Sequence, residues 1–165
     1  MKSSKPQFSK KQKQKKKGFS KPKKRFTNKI SDHFSKIDFT CKESGKFKVS
    51  LGLVGALEEL RTILKKRIDI KKGYEATEVA EKKGSLKRNL HTQGLAADIV
   101  VDGLSLSEIF LAAELVDSIT GIGINKKEVH IHIETRKMER RLWLEDGNEE
   151  IEITQTNKQD YIETN

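Results

Sequence analysis

The 165-residue sequence has little cysteine and no long apolar run, and both absences exclude classes of protein. Its one cysteine, Cys41, cannot form an internal disulfide or a cysteine-rich zinc knuckle alone. No stretch of about 20 apolar residues could span a bilayer, and no apolar segment follows the positively charged N-terminus as in a secretory signal. We therefore expect a protein without a transmembrane segment that is cytoplasmic as synthesised.

Acidic residues are absent from positions 1–30, which contain 13 lysines and arginines. The remaining sequence has 21 basic and 24 acidic residues, so the net charge of +10 comes from this first segment. The positive charges of this segment repel one another, and its few apolar residues cannot bury enough surface to fold. We therefore predict a disordered basic tail at 1–30. The tail either only aids solubility or contacts nucleic acid or another anionic polymer, and both interpretations remain open.

Two helices are predicted from apolar stripes and their caps. Ser50 is placed to cap a helix with leucines at three- and four-residue steps, namely Leu53, Leu57, Leu60 and Leu64. A Ser-Leu-Ser-Glu capping box at 105–108 begins the second. Its predicted buried residues are Ile109, Leu111, Ala112, Leu115, Val116 and Ile119.

Short strands are predicted between and after these helices. They lie at 68–70, at 95–101 before an Asp-Gly turn, and in a hairpin formed by 121–124 and 128–134. This irregular order favours an α+β fold with a small antiparallel sheet and packed helices. We expect one such domain at 31–144, with Trp143 in its core, and an acidic C-terminal extension at 145–165 whose polar residues fray.

The strand at 128–134 alternates strictly, which puts apolar side chains on one face and ionisable ones on the other. Val129, Ile131 and Ile133 share the apolar face, and the opposite face carries Glu128, His130, His132 and Glu134. A third histidine begins a second segment at 91–98, His-Thr-Gln-Gly-Leu-Ala-Ala-Asp. We interpret the two segments as halves of one metal site.

A catalytic zinc ion usually has three protein ligands and keeps a fourth position for water. His91, Asp98 and one histidine of the strand satisfy that count. The two strand histidines stand roughly 6.6 Å apart at about 3.3 Å per residue, so one ligates and the other faces the water. The small residues around Gly94 would allow close backbone approach and leave room above the ion.

These segments resemble the M15 family of zinc peptidases, whose pattern is Ser-x-His-x-x-Gly-x-Ala-x-Asp followed by His-x-His. Here 89–98 reads Asn-Leu-His-Thr-Gln-Gly-Leu-Ala-Ala-Asp, and 130–136 reads His-Ile-His-Ile-Glu-Thr-Arg. The resemblance implies that the zinc ligands are His91, Asp98 and His132. It also implies that His130 is the catalytic histidine and gives Glu134 a supporting role behind the ligands.

The resemblance implies one Zn²⁺ per chain and hydrolysis of an amide bond in peptidoglycan stem peptides, as a D,D-carboxypeptidase or an endopeptidase. We expect a monomer that acts at the cell wall after release, as a phage lysis protein does. Where relatives carry an arginine this chain has Glu75, so Lys72 or Arg88 would supply the cation, and Asn89 replaces the motif serine. The alternative is a catalytically weakened M15-like binding or structural protein anchored by its basic tail.

Overall fold

The structure, a computed structural model, describes residues 28–85, 89–146 and 149–162. The predicted basic tail therefore lies outside the described residues except at its last three positions. There, the backbone of Lys29 pairs with that of Ser35. No helix in the described part of the chain is long and apolar enough to cross a membrane.

The described residues form an α+β domain, as predicted. Four α-helices are present in the described ranges: α1 (Leu51–Leu64), α2 (Thr77–Lys82), α3 (Leu106–Glu114) and α4 (Lys158–Tyr161). Two 3₁₀ helices span Lys36–Phe39 and Leu90–Gln93. The six strands are β1 (Asp69–Lys72), β2 (Ala96–Val100), β3 (Gly121–Asn125), β4 (His130–Glu134), β5 (Arg141–Asp146) and β6 (Glu149–Glu152).

One sheet contains all six strands, in the order β1-β2-β4-β3-β5-β6. Neighbouring strands are antiparallel except for β3 and β5, which run parallel. One face of the sheet packs with α1 and α3 in the hydrophobic core, and its fully buried side chains include Ile99, Ile122, Ile124, Ile131 and Ile133. Because strand side chains alternate, the residues between these isoleucines face the opposite side, where the histidines lie.

Both predicted helix starts are confirmed. The Ser50 hydroxyl accepts a hydrogen bond from the backbone N–H of Gly52, and Ser105 and Glu108 form the capping box of α3. The predicted extent of α3 is wrong, because the helix ends at Glu114 and Leu115 is 68% exposed. The Arg140 guanidinium donates to carbonyl oxygens at this end of the helix, those of Glu114, Val116 and Ile119.

The histidine strand begins two residues later than predicted. Glu128 and Val129 belong to the turn before β4, and Val129 has a φ of 52° and is 61% exposed. The prediction that Val129 shares a buried face with Ile131 and Ile133 is therefore wrong. A β-branched residue such as Val129 rarely adopts this left-handed conformation. The alternating sequence pattern therefore predicted a strand at this position.

The expected fraying of the C-terminal residues is also wrong for the described part of that segment. Strand β6 pairs with β5, and Ile153 and Ile162 are buried in the core cluster. Apolar residues spaced two apart, Ile151 and Ile153, supply an inward face within a segment that is otherwise acidic.

Close packing on the histidine face depends on two glycines of β3. A Cβ atom added at Gly123 would lie 2.5 Å from Trp143 Cε2, and one added at Gly121 would lie 2.9 Å from Glu134 Cβ. Side chains at these positions would therefore displace Trp143 and Glu134, which lie across β3.

Gly123→Ala is expected to lower the free energy of unfolding by about 1–3 kcal/mol, because the added methyl overlaps the Trp143 ring. Gly55→Ala is the matched control, since Gly55 lies in α1 with no atom within 4 Å of an added Cβ. Alanine there should stabilise by about 1 kcal/mol through helix propensity. Urea unfolding measures the free energy of unfolding of both variants, which should change in opposite directions. Equal changes would contradict the close contact between Gly123 and Trp143.

Candidate metal centre

Three potential metal ligands converge on the histidine face of the sheet. His91 lies in the 3₁₀ helix before β2, whereas Asp98 and His132 are directly paired across β2 and β4. Each of the three residues offers one ligand atom, and these three atoms all lie within 4.8 Å of one another. The sheet register therefore unites the two sequence segments that were predicted to form one site.

The orientation of His91 is fixed by the backbone of the β1–α2 loop. Its Nδ1 lies 2.7 Å from the carbonyl oxygen of Gly73, which can only accept a hydrogen bond. Nδ1 therefore carries the proton and donates it, and Nε2 is left as the ring acceptor. His91 Nε2 lies 3.3 Å from Asp98 Oδ1, so its lone pair faces the cluster.

His132 lies between two carboxylates. Its Nδ1 is 2.7 Å from Asp98 Oδ1, and its Nε2 is 3.2 Å from Glu134 Oε1. Although burial opposes protonation, these two hydrogen bonds raise the pKa of His132 to about 9. Despite its own burial, Asp98 has a pKa far below its usual range, because the His132 ring donates to its carboxylate and the His91 ring lies close beside it. The site thus favours positive charge beside Asp98.

His130 lies beside the cluster and is almost completely buried. Its Nε2 is 3.7 Å from Asp98 Oδ1, and its Nδ1 has no hydrogen-bond partner among the described residues. Burial lowers the pKa of His130, which favours the neutral ring. A neutral imidazole can accept a proton.

Glu134 is held on both sides of its carboxylate. Oε1 contacts His132, and Oε2 lies 3.1 Å from Arg136 Nε. Although burial raises it, the hydrogen bond from His132 and the Arg136 charge lower the pKa of Glu134 overall. Glu134 therefore stays ionised behind His132, where it can orient the ring.

The remaining predicted residues lie around the His91 loop, except Arg88, which is outside the described residues. Lys72 is the strand partner of Asp98, and its Nζ is 3.3 Å from the Glu75 carboxylate. Asn89 caps the His91 turn, where its Oδ1 accepts from His91 N–H. Glu75 is only 2% exposed and is surrounded by hydrogen-bond donors, a role that the sequence pattern did not indicate.

Gly94 makes the close backbone approach that was predicted for the small residues of this segment. Its φ is +71°, and an added Cβ would lie 3.0 Å from the backbone of Lys48 and Val49. Gly94 also accepts a hydrogen bond from Ser50 N–H through its carbonyl oxygen. The glycine thus allows the His91 loop to pack against the residues just before α1.

Two cavities border the cluster. One of about 950 Å³ is lined by His91, His132, Glu134 and Arg136, and one of about 550 Å³ is lined by Asp98, Lys72 and Tyr74 among others. Both are of the size of small-molecule and peptide sites. Different members of the cluster therefore line two cavities that share no lining residue.

Comparison with known families decides the class of protein. The family model described as Peptidase M15 matches residues 7–134, well over half of the chain. The chain belongs to the peptidase M15 family. The matched range contains all four residues of the predicted centre and ends at Glu134. No match was found among curated proteins.

M15 membership places the chain in a family of metallopeptidases. The donor set fits a metal such as zinc, because two imidazole nitrogens and one carboxylate oxygen are ligands that zinc prefers. The donation from His91 Nδ1 to Gly73 also matches the usual arrangement in which a ligating histidine uses its other nitrogen as a donor.

Proposed function

We propose that this M15 protein is a zinc-dependent peptidase that hydrolyses an amide bond in peptidoglycan stem peptides. The convergence of His91, Asp98 and His132 carries the proposal. His91 Nε2, the Asp98 carboxylate and His132 Nδ1 would hold one Zn²⁺. When bound, zinc polarises a carbonyl oxygen and makes water a nucleophile at neutral pH.

His130 would be the group that moves protons in this reaction. Its Nε2 points toward Asp98 and therefore toward the centre, at 3.7 Å from Oδ1. Hydrolysis forms a bond from water oxygen to the carbonyl carbon and breaks the bond from carbon to nitrogen. His130 accepts the proton that water loses and returns it to the leaving amine.

Lys72 would supply the cation that relatives obtain from arginine. It pairs with Asp98 across β1 and β2 and lines the 550 Å³ cavity, with its side chain 39% exposed. A lysine there can hold a substrate carboxylate or carbonyl oxygen next to the centre. Arg88 is the other cation that the sequence offers for this role.

The test is metal content together with peptide cleavage. The purified protein should contain about one zinc per chain and should cleave muropeptides, with activity lost to a chelator and regained with zinc. Release of D-alanine would identify a D,D-carboxypeptidase, and internal cleavage an endopeptidase. Near-zero metal after purification without chelator would contradict the proposal.

Glu75 favours a second candidate function, a catalytically weakened binding protein. Its carboxylate is buried against lysines, so position 75 offers no cation to the cavity. Stoichiometric zinc without cleavage would support this candidate, together with cell-wall retention that is lost on deletion of residues 1–30. Retention by the truncated protein would remove the basic tail from that role.

A further inference from the structure

Glu75 is a buried carboxylate that is closely surrounded by polar groups. Four groups in the described part of the chain can donate to its carboxylate: Asn89 Nδ2 at 2.6 Å, Lys83 Nζ at 3.2 Å, Lys72 Nζ at 3.3 Å and Ser85 Oγ at 3.4 Å. An arginine at this position would bring its positive charge against the ammonium groups of Lys72 and Lys83. The surroundings of position 75 are therefore built for a carboxylate.

The shortest of these contacts leads to a proposed zinc ligand. Asn89 donates to Glu75 through Nδ2, and its Oδ1 accepts from the backbone N–H of His91 at 3.0 Å. The backbone N–H of Glu75 also donates to the carbonyl oxygen of His91 at 3.3 Å. Both ends of residue 91 are thus tied to residue 75, once through Asn89 and once directly.

The same loop fixes the imidazole itself. Gly73, two residues before Glu75, accepts the hydrogen bond from His91 Nδ1. If the Asn89 side chain loses its acceptor, the turn that carries His91 loses a restraint on its backbone. The ring then faces Asp98 for a smaller share of the time, and a metal site depends on such preorganisation.

We infer that Glu75 is a positioning residue for the metal centre, which it serves by holding Asn89 and through it the backbone of His91. This inference rests on the proposed zinc site. It gives Glu75 a role in zinc affinity, and the hydrogen bond between Glu75 and Asn89 is the contact on which that role depends. The charge of Glu75 is secondary in this role, because Lys72 and Lys83 are partly exposed and can turn to solvent.

Zinc affinity of the purified full-length chain, measured by competition with a chromophoric chelator, tests this. Glu75→Ala and Asn89→Ala should each weaken zinc binding about 10–100-fold, which is the usual effect of removing a residue that hydrogen-bonds to a metal ligand. The double variant should lose no more than either single variant, because both act through one contact. Glu75→Gln should bind close to the parent, since its amide oxygen still accepts from Asn89.

Glu43→Ala is the matched control. Lys83 pairs with both Glu43 and Glu75, and its Nζ lies 2.7 Å from Glu43 Oε1. Glu43 has no hydrogen bond to Asn89 among those described. Its zinc affinity should equal that of the parent. Circular dichroism shows whether each variant is folded at the assay temperature, and if Glu75→Ala unfolds, Asn89→Ala carries the test.

Parental zinc affinity in folded Asn89→Ala, additive losses in the double variant, or an equal loss in Glu75→Gln would overturn the inference. A parent protein that binds no zinc would instead defeat the proposed function. The inference concerns zinc affinity alone, so the same variants decide it in a parent protein that binds zinc without cleaving peptides.

Discussion

His130→Ala is expected to lower kcat by about 10²–10⁴-fold while zinc content stays near that of the parent. His130 faces the centre through Nε2 but lies 3.7 Å from Asp98, outside the group of three converging ligand atoms. Removing its ring takes away the proton carrier and leaves His91, Asp98 and His132 in place. Steady-state cleavage of a muropeptide and metal analysis of the same preparation measure both quantities.

His33→Ala is the control for that experiment, because His33 lies away from the centre and contacts Glu58 on α1 through Nδ1 at 2.6 Å. It should keep both zinc and turnover. If His130→Ala lost its zinc, the ring would be a ligand and the assignment of roles on β4 would be wrong. If it kept full turnover, another group would move the proton.

His132→Ala is expected to abolish zinc binding and with it the stabilisation of the fold by zinc. A ligand at about 1,000 times its Kd stabilises the folded state by about 4 kcal/mol, so zinc should raise the Tm of the parent protein by many degrees. The variant lacks Nδ1, the nitrogen nearest Asp98, and its Tm should not respond to zinc.

Calorimetry with zinc and with chelator measures this difference. Asp98→Ala should behave in the same way, since it removes the carboxylate that both His91 and His132 contact. A zinc-dependent rise in Tm that survives in both variants would place the metal elsewhere in the chain. A parent protein with no such rise would contradict a structural contribution from zinc.

The helices and the meeting of the two metal segments could be predicted because their signals are local. Leucine spacing and hydroxyl caps specify α1, and alternation around His132 gives the face on which the histidines lie. The pairing of Asp98 with His132 follows once the two strands are neighbours. That adjacency was implied by the shared chemistry of the segments and not by any periodicity.

Other features could not be predicted because their causes are distant in the sequence. The partner of His91 is the carbonyl oxygen of Gly73, and a backbone oxygen leaves no mark in residue type. The burial of Glu75 depends on Asn89 and on Lys83, which is supplied by the end of α2. The parallel pairing of β3 with β5 and the left-handed turn at Val129 likewise depend on tertiary packing.

Trp143 has a consequence for how this protein can be studied. It is the only tryptophan in the sequence, and its ring centroid lies 5.5 Å from that of His132. Indole emission responds to the charge state and movement of a neighbouring imidazole. Metal uptake at the proposed site would therefore have an intrinsic optical readout, for which the chain needs no added dye or label.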